Sequence, residues 1–201
     1  SSIDGIKASL AKALEINGLK NLINFDGIPI VGPPLKEIII ELVGPKDPPL
    51  IDKIIIDFIN HYDSVGYLQT TAFKNIPEML KYLKKTSFQL FIATNKRISP
   101  THKILKKLNW YGLFDSVVCV DSLNLTNLKK SDLINHIAKK HELLKSDIYY
   151  IGDLEADSVA AKEAEVNFLF ADWDPANVKF NSFEKTIYKS PLDLLMFLSK
   201  I

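Results

Sequence analysis

Cysteine is nearly absent from these 201 residues: Cys119 stands alone, so no intramolecular disulfide can form and a reducing cytoplasmic setting is expected. Arginine is as scarce, with Arg97 the single example. Neither sign of charge is in surplus, since 25 Lys and Arg against 24 Asp and Glu leave a net charge of +1. That balance argues against broad electrostatic attraction to nucleic acid or to a membrane surface. No apolar run approaches a membrane span of about 20 residues, and the opening SSIDGIKASL lacks the apolar centre of a secretory leader. Two nucleotide-binding loops are missing as well, because neither G-x-G-x-x-G nor G-x-x-x-x-G-K-[ST] occurs. The four histidines (His61, His102, His136 and His141) fall on predicted helices without metal-ligand spacing, and Cys119 lies inside an apolar strand as core filler. What is present is an ordinary globular mixture, 47% hydrophobic and 24% charged, long enough for one core plus a small module. A small-molecule partner fits that composition best; the oligomeric state is not legible.

The first third reads as helices. Ile6, Leu10 and Leu14 recur at i, i+4 and i+8 with Ile3 and Ala13 beside them, predicting a helix that ends near Gly18. Gly32-Pro33-Pro34 announces a second helix, buried through Leu35, Ile38, Ile39 and Leu42 and stopped by Gly44. A third starts at Pro49. After Gly66 the pattern alternates helices with short apolar strands: FQLFIAT (Phe88 to Thr94), FDSVVCV (Phe114 to Val120), DIYYIGD (Asp147 to Asp153) and VNFLFA (Val166 to Ala171). Such alternation predicts an α/β fold with a doubly wound parallel sheet. The division expected is a helical domain over 1–70 and an α/β core over 71–201.

Ligands of doubly wound sheets bind beyond the carboxyl ends of the strands, so those ends are the candidate positions. DIYYIGD ends in Gly152-Asp153, and Asp157 follows one helical turn later. Two carboxylates so spaced suit Mg²⁺, a hard cation, although an acid in the first turn of a helix is also favoured by the helix dipole alone. FQLFIAT ends in Thr94-Asn95-Lys96, with Ser99-Pro100 expected as N-cap and first residue of the next helix. A hydroxyl and free amides there can cradle a phosphate. Lys129 and Lys130 precede a helix expected from Ser131, and a cation at that end opposes the dipole unless an anion neutralises it.

Together, Thr-Asn-Lys after a strand, a lysine before a helix, and G-D-x-x-x-D after a further strand resemble motifs II, III and IV of the haloacid dehalogenase (HAD) superfamily. The lysine to first-aspartate separation is 153 − 130 = 23, and Lys130-Ser131-Asp132-Leu133 carries the K-x-x-L pattern, which favours Lys130 over Lys129. GPPLKEIIIELVG (Gly32 to Gly44) and AFKNIPEMLKYL (Ala72 to Leu83) resemble the phosphoglycolate phosphatase branch. The resemblance implies a Rossmann-like HAD core with a small all-helical cap that closes over the site, and a Mg²⁺-dependent phosphatase acting on a small phosphorylated metabolite through an aspartyl phosphate. It also implies roles: Thr94, Asn95 and Lys130 on the phosphate, with Thr94 and Lys130 catalytic, and Asp153 and Asp157 at the metal. In Trp173-Asp174-Pro175 the family more often has glycines.

One motif of the family, D-x-D-G-T on the central strand, has no good counterpart. NFDGI would put Asn24 in the place of the nucleophile and Asp26 in that of the acid/base, but Asn21 and Asn24 spoil the continuous apolar run that a strand buried on both faces requires. NLINFDGIPIV is therefore expected to connect the first two helices, with the motif lying upstream of Ser1. Its strand belongs between FQLFIAT and DIYYIGD, on that upstream segment or replaced by another. If Asn24 does hold the nucleophile's place, an inactive phosphate-binding or interaction protein is the alternative, because an amide cannot form an aspartyl phosphate.

Overall fold

A computed structural model describes residues 1–44, 47–123, 128–174 and 187–201. In chain order the helices are α1 (Ile3–Ile16), α2 (Leu35–Val43), α3 (Pro48–Ser64), α4 (Ile76–Leu83), α5 (Ile98–Lys107), α6 (Lys130–Lys140), α7 (Glu155–Ala164) and α8 (Pro191–Leu198). The strands are β1 (Phe91–Thr94), β2 (Ser116–Cys119), β3 (Tyr149–Gly152), β4 (Asn167–Ala171) and β5 (Ile187–Tyr188). The chain divides into two compact units, Ser1–Thr71 with Ser99–Leu108, and Ala72–Ile98 with Asn109–Ile201.

The described secondary structure of the first unit is helical throughout. The stripe on α1 buries Leu10, Ala13 and Leu14 completely, and Ile39 of α2 and Ile54 of α3 are equally inaccessible in the same core. Close approach, rather than conformational freedom, explains Gly5. A Cβ there would lie 2.1 Å from the carbonyl oxygen of Gly66, so the chain after α3 can settle directly on α1. Residues 17–34 connect α1 to α2, and Asn24 sits in a turn whose Oδ1 accepts the Asp26 amide at 3.0 Å. Asn24 is therefore part of a helix connector, not of a strand.

Helix α5 was expected to cover the sheet from Pro100 onward, with Ser99 as N-cap. It starts at Ile98 instead, because the Asp121 carboxylate already receives the Ile98 amide at 2.8 Å. Pro100 falls within the first turn, where a missing N–H costs nothing. From residue 99 the helix groups with the first unit. Lys103 Nζ donates to the Asp63 carbonyl at 2.6 Å, and Lys107 Nζ to the carbonyls of Leu68 and Thr70.

In the second unit all pairings are parallel: β1 with β2, Phe91 opposite Ser116, and β3 with β4 and β4 with β5. Adjacent residues of a strand face opposite sides. Tyr149 accordingly packs on the cluster formed with Met79, Leu83, Leu194 and Leu198 of α4 and α8, whereas Tyr150 packs on Ile134, Ala160 and Ala164 of α6 and α7. Helices thus cover both faces, as in a Rossmann-like α/β fold. Each of β1 to β4 is shorter than its apolar run. FQLFIAT, for example, forms ladder only over Phe91–Thr94. The reason lies in the ladders: among the described residues β1 pairs only with β2 and β3 only with β4, and no described strand joins β1 to β3, where a central strand was expected.

Candidate active site

Four segments of the second unit carry the candidate side chains. At the end of β1 the Thr94 Oγ1 accepts the Lys96 amide at 3.1 Å, which turns the chain immediately after the strand. Asn95 is exposed there and lines an open groove of about 450 Å³ together with Lys129, Lys130, Glu155 and Val159. Ala93 and Tyr150 pack on one cluster with Ile134, so β1 and β3 share a helical support just below their ends.

The two lysines diverge. Lys130, the first residue of α6, has a side chain only 16% exposed, and its ammonium pairs with Asp157 Oδ1. The Lys129 side chain is 69% exposed and lies 3.1 Å from Glu163 Oε1. Only Lys130 reaches inward. The start of its helix is held by Asp132, whose Oδ2 accepts the Lys129 amide at 2.8 Å.

Asp157 is the most enclosed of the candidates, its side chain 5% exposed, and four donors converge on it. Oδ2 accepts the amides of Asp153 and Leu154, both at 3.1 Å, while Oδ1 takes the Lys130 ammonium and the Tyr150 hydroxyl at 3.2 Å. Gly152 makes this possible. A Cβ at that position would stand 2.4 Å from Asp157 Cβ and 2.7 Å from its Oδ2. Sequence spacing predicted Asp153 and Asp157 facing one point, but Asp157 turns back over the first turn of its own helix and fixes the backbone that carries Asp153. Tyr150 escaped sequence reasoning, although a tyrosine in a buried parallel strand needs a partner for its hydroxyl. Burial, and then the neighbouring Asp157 charge, push its phenol well above the usual range, so it acts as a donor at any working pH.

Among the described residues no three His, Cys, Asp or Glu side chains stand together to cage an ion. Mg²⁺ does not require a cage, since it is usually held by one or two carboxylates with waters and substrate phosphate. Asp153, which follows β3, is a carboxylate of the type such a site uses. Asp157 does not fit as a direct ligand, because both oxygens are already taken. Asp174, next to the family's glycine-rich position, is described, but Pro175 lies outside the described residues.

Comparison with known proteins gives the chain its family. The chain is 30% identical over 112 residues to a phosphoglycolate phosphatase of Psychrobacter arcticus, covering 56% of this chain and 48% of that protein. It is 30% identical over 145 residues to a phosphoglycolate phosphatase of Aquifex aeolicus, covering 66% and 65%. The matches thus span about half to two thirds of the length of these relatives. A haloacid dehalogenase-like family hydrolase of Streptococcus pneumoniae shares the fold at a TM-score of 0.82 and 22% identity, covering 98% of this chain and 92% of that one. The model of haloacid dehalogenase-like hydrolases matches residues 2–171. With that match over most of its length, the chain belongs to the haloacid dehalogenase-like hydrolase family.

Proposed function

We propose that the protein is a Mg²⁺-dependent phosphatase of a small phosphomonoester. The observation that carries this reading is the shared groove: Asn95 after β1, Lys130 at the start of α6 and Glu155 at the start of α7 line one opening, with Asp157 buried behind the lysine. Thr94 and Asn95 bind phosphate oxygens through hydroxyl and amide, and Lys130 offsets the charge that builds up as phosphorus is attacked. Asp153 holds the metal. Bound Mg²⁺ supplies Lewis-acid neutralisation of the transferring phosphoryl group. Asp157 acts one step removed, orienting Lys130 and the Asp153 backbone together.

In the reaction proposed, an aspartate oxygen attacks phosphorus and the alcohol leaves with a proton from an acid. Water then cleaves the acyl phosphate, returning the carboxylate and releasing inorganic phosphate. The attacking carboxylate belongs on a strand between β1 and β3, and no described strand pairs with both of them. Phosphoglycolate, named in the relatives, is the first substrate to assay. The full-length natural protein should hydrolyse p-nitrophenyl phosphate with Mg²⁺, and Asp153→Ala should lower kcat by at least about 10²-fold. Equal rates for the two proteins would remove Asp153 from the mechanism.

A second reading, a phosphate-binding protein without turnover, required Asn24 in the nucleophile's place, and its position in a helix connector removes that ground. Phosphate binding that persists with no hydrolysis of any phosphomonoester would select it.

A further inference from the structure

We propose that Glu163 is a positioning residue for Lys130, acting through the two residues that flank it. This rests on the phosphatase reading only for its consequence, the aim of Lys130 at phosphate. Lysine is a flexible point charge with about 2 kcal/mol of rotamer entropy to lose, so its aim depends on how firmly its backbone is fixed. Lys130 is the first residue of α6, where helices fray.

Glu163 grips that first turn from both sides. Its Oε1 accepts from Lys129 Nζ at 3.1 Å and its Oε2 from Ser131 Oγ at 2.7 Å, and Ser131 is buried. Asp157 takes the tip of Lys130 six residues earlier on α7, about 9 Å away along that helix axis. The first turn of α6 is therefore tied to α7 at two separated points.

Helix electrostatics explain why a glutamate stands there. Glu163 lies in the last turn of α7, the end where its own helix dipole disfavours an anion, yet beside the start of α6, where an anion is favoured. It also answers the charge of Lys129, which would otherwise oppose the α6 dipole. The Ser131 hydroxyl, and then Lys129, hold the Glu163 carboxyl below the ordinary range, so it stays charged at neutral pH.

The test uses the full chain labelled with ¹⁵N at lysine Nζ. In the wild type the Lys130 ammonium, identified by its loss in Lys130→Met, should give a slowly exchanging signal because Asp157 holds it. Glu163→Ala should broaden or shift that signal and weaken inorganic phosphate binding about tenfold. Glu163→Gln, which keeps an acceptor for Ser131, should restore most of both. Should Glu163→Ala fail to fold, Ser131→Ala removes the same tie more gently and must produce the same broadening. A Lys130 signal unchanged in whichever of these variants folds overturns the proposal. Failure of the phosphatase reading looks different: the wild type then hydrolyses no phosphomonoester, whether or not it binds phosphate, while the ammonium signal still decides whether Glu163 positions Lys130.

Discussion

Asp157 illustrates how one side chain can serve both fold and chemistry. A carboxylate in the first turn of a helix is commonplace, and its two bonds to the Asp153 and Leu154 amides need no functional explanation. Its other oxygen has a different task. By accepting both Lys130 and Tyr150 it neutralises a lysine whose side chain is only 16% exposed. Two charges removed from water so completely stabilise little as a pair, but each is costly alone. Asp157→Ala should therefore cost about 3–5 kcal/mol in urea unfolding, and Lys130→Ala a similar amount. The double variant should cost much less than the sum of the two, because no buried charge is left stranded. Additive losses would show that the pair is solvated and that Lys130 is free to leave Asp157.

At the scale of elements, the join between β1 and β2 depends on Asp115. Its amide donates to the Leu90 carbonyl at 2.7 Å, its Oδ2 accepts the Leu90 amide at 2.8 Å, and its Oδ1 accepts Lys84 Nζ at 2.8 Å. The Lys84 bond first, and the Leu90 amide second, hold its carboxyl below the reference value of 3.8. A carboxylate depressed on folding contributes stability above its unfolded value and loses it as pH falls through the folded one. Wild type should thus exceed Asp115→Asn in stability at pH 7, and the two should converge as pH falls below 3.8 through the folded value. Denaturant melts at pH 7 and in that acid range check this; a constant difference would mean that charge has no part in the joint. Bonds of this kind are local and almost invisible in sequence. The apolar runs of β1 to β4 were legible because a parallel strand covered on both faces has a simple composition. The two-residue β5 was not, since two positions make no pattern. Helices were legible by their stripes, whereas starts moved: α5 begins at Ile98 rather than Pro100, because the distant Asp121 carboxylate caps it. For the candidate site, motif order alone proposed Thr94, Asn95, Lys130, Asp153 and Asp157, and the structure brings Asn95 and Lys130 to one groove with Asp157 paired to the lysine. Tyr150 and Glu163 could not be named so, because their partners come from pairings between elements.

At the scale of the whole molecule, the path of the chain couples the two units. The connection between paired strands β1 and β2 is α5, and from residue 99 to 108 that helix belongs to the first unit. Unfolding the first unit therefore also dissolves the rigid crossover between two strands of the second. The pairing would then have to be kept across a loose segment, at a cost in loop entropy. Leu14 gives a clean lever, being fully buried in the helical core, so Leu14→Ala should cost about 2–5 kcal/mol. Both tryptophans, Trp110 and Trp173, lie in the second unit, so their fluorescence reports that unit alone. If α5 couples the units as argued, the fluorescence midpoint in urea should fall together with the helical circular dichroism in Leu14→Ala. A fluorescence transition that stays in place while half of the helical signal melts early would show that the β1–β2 pair survives without its crossover helix, and that the two cores are thermodynamically separate.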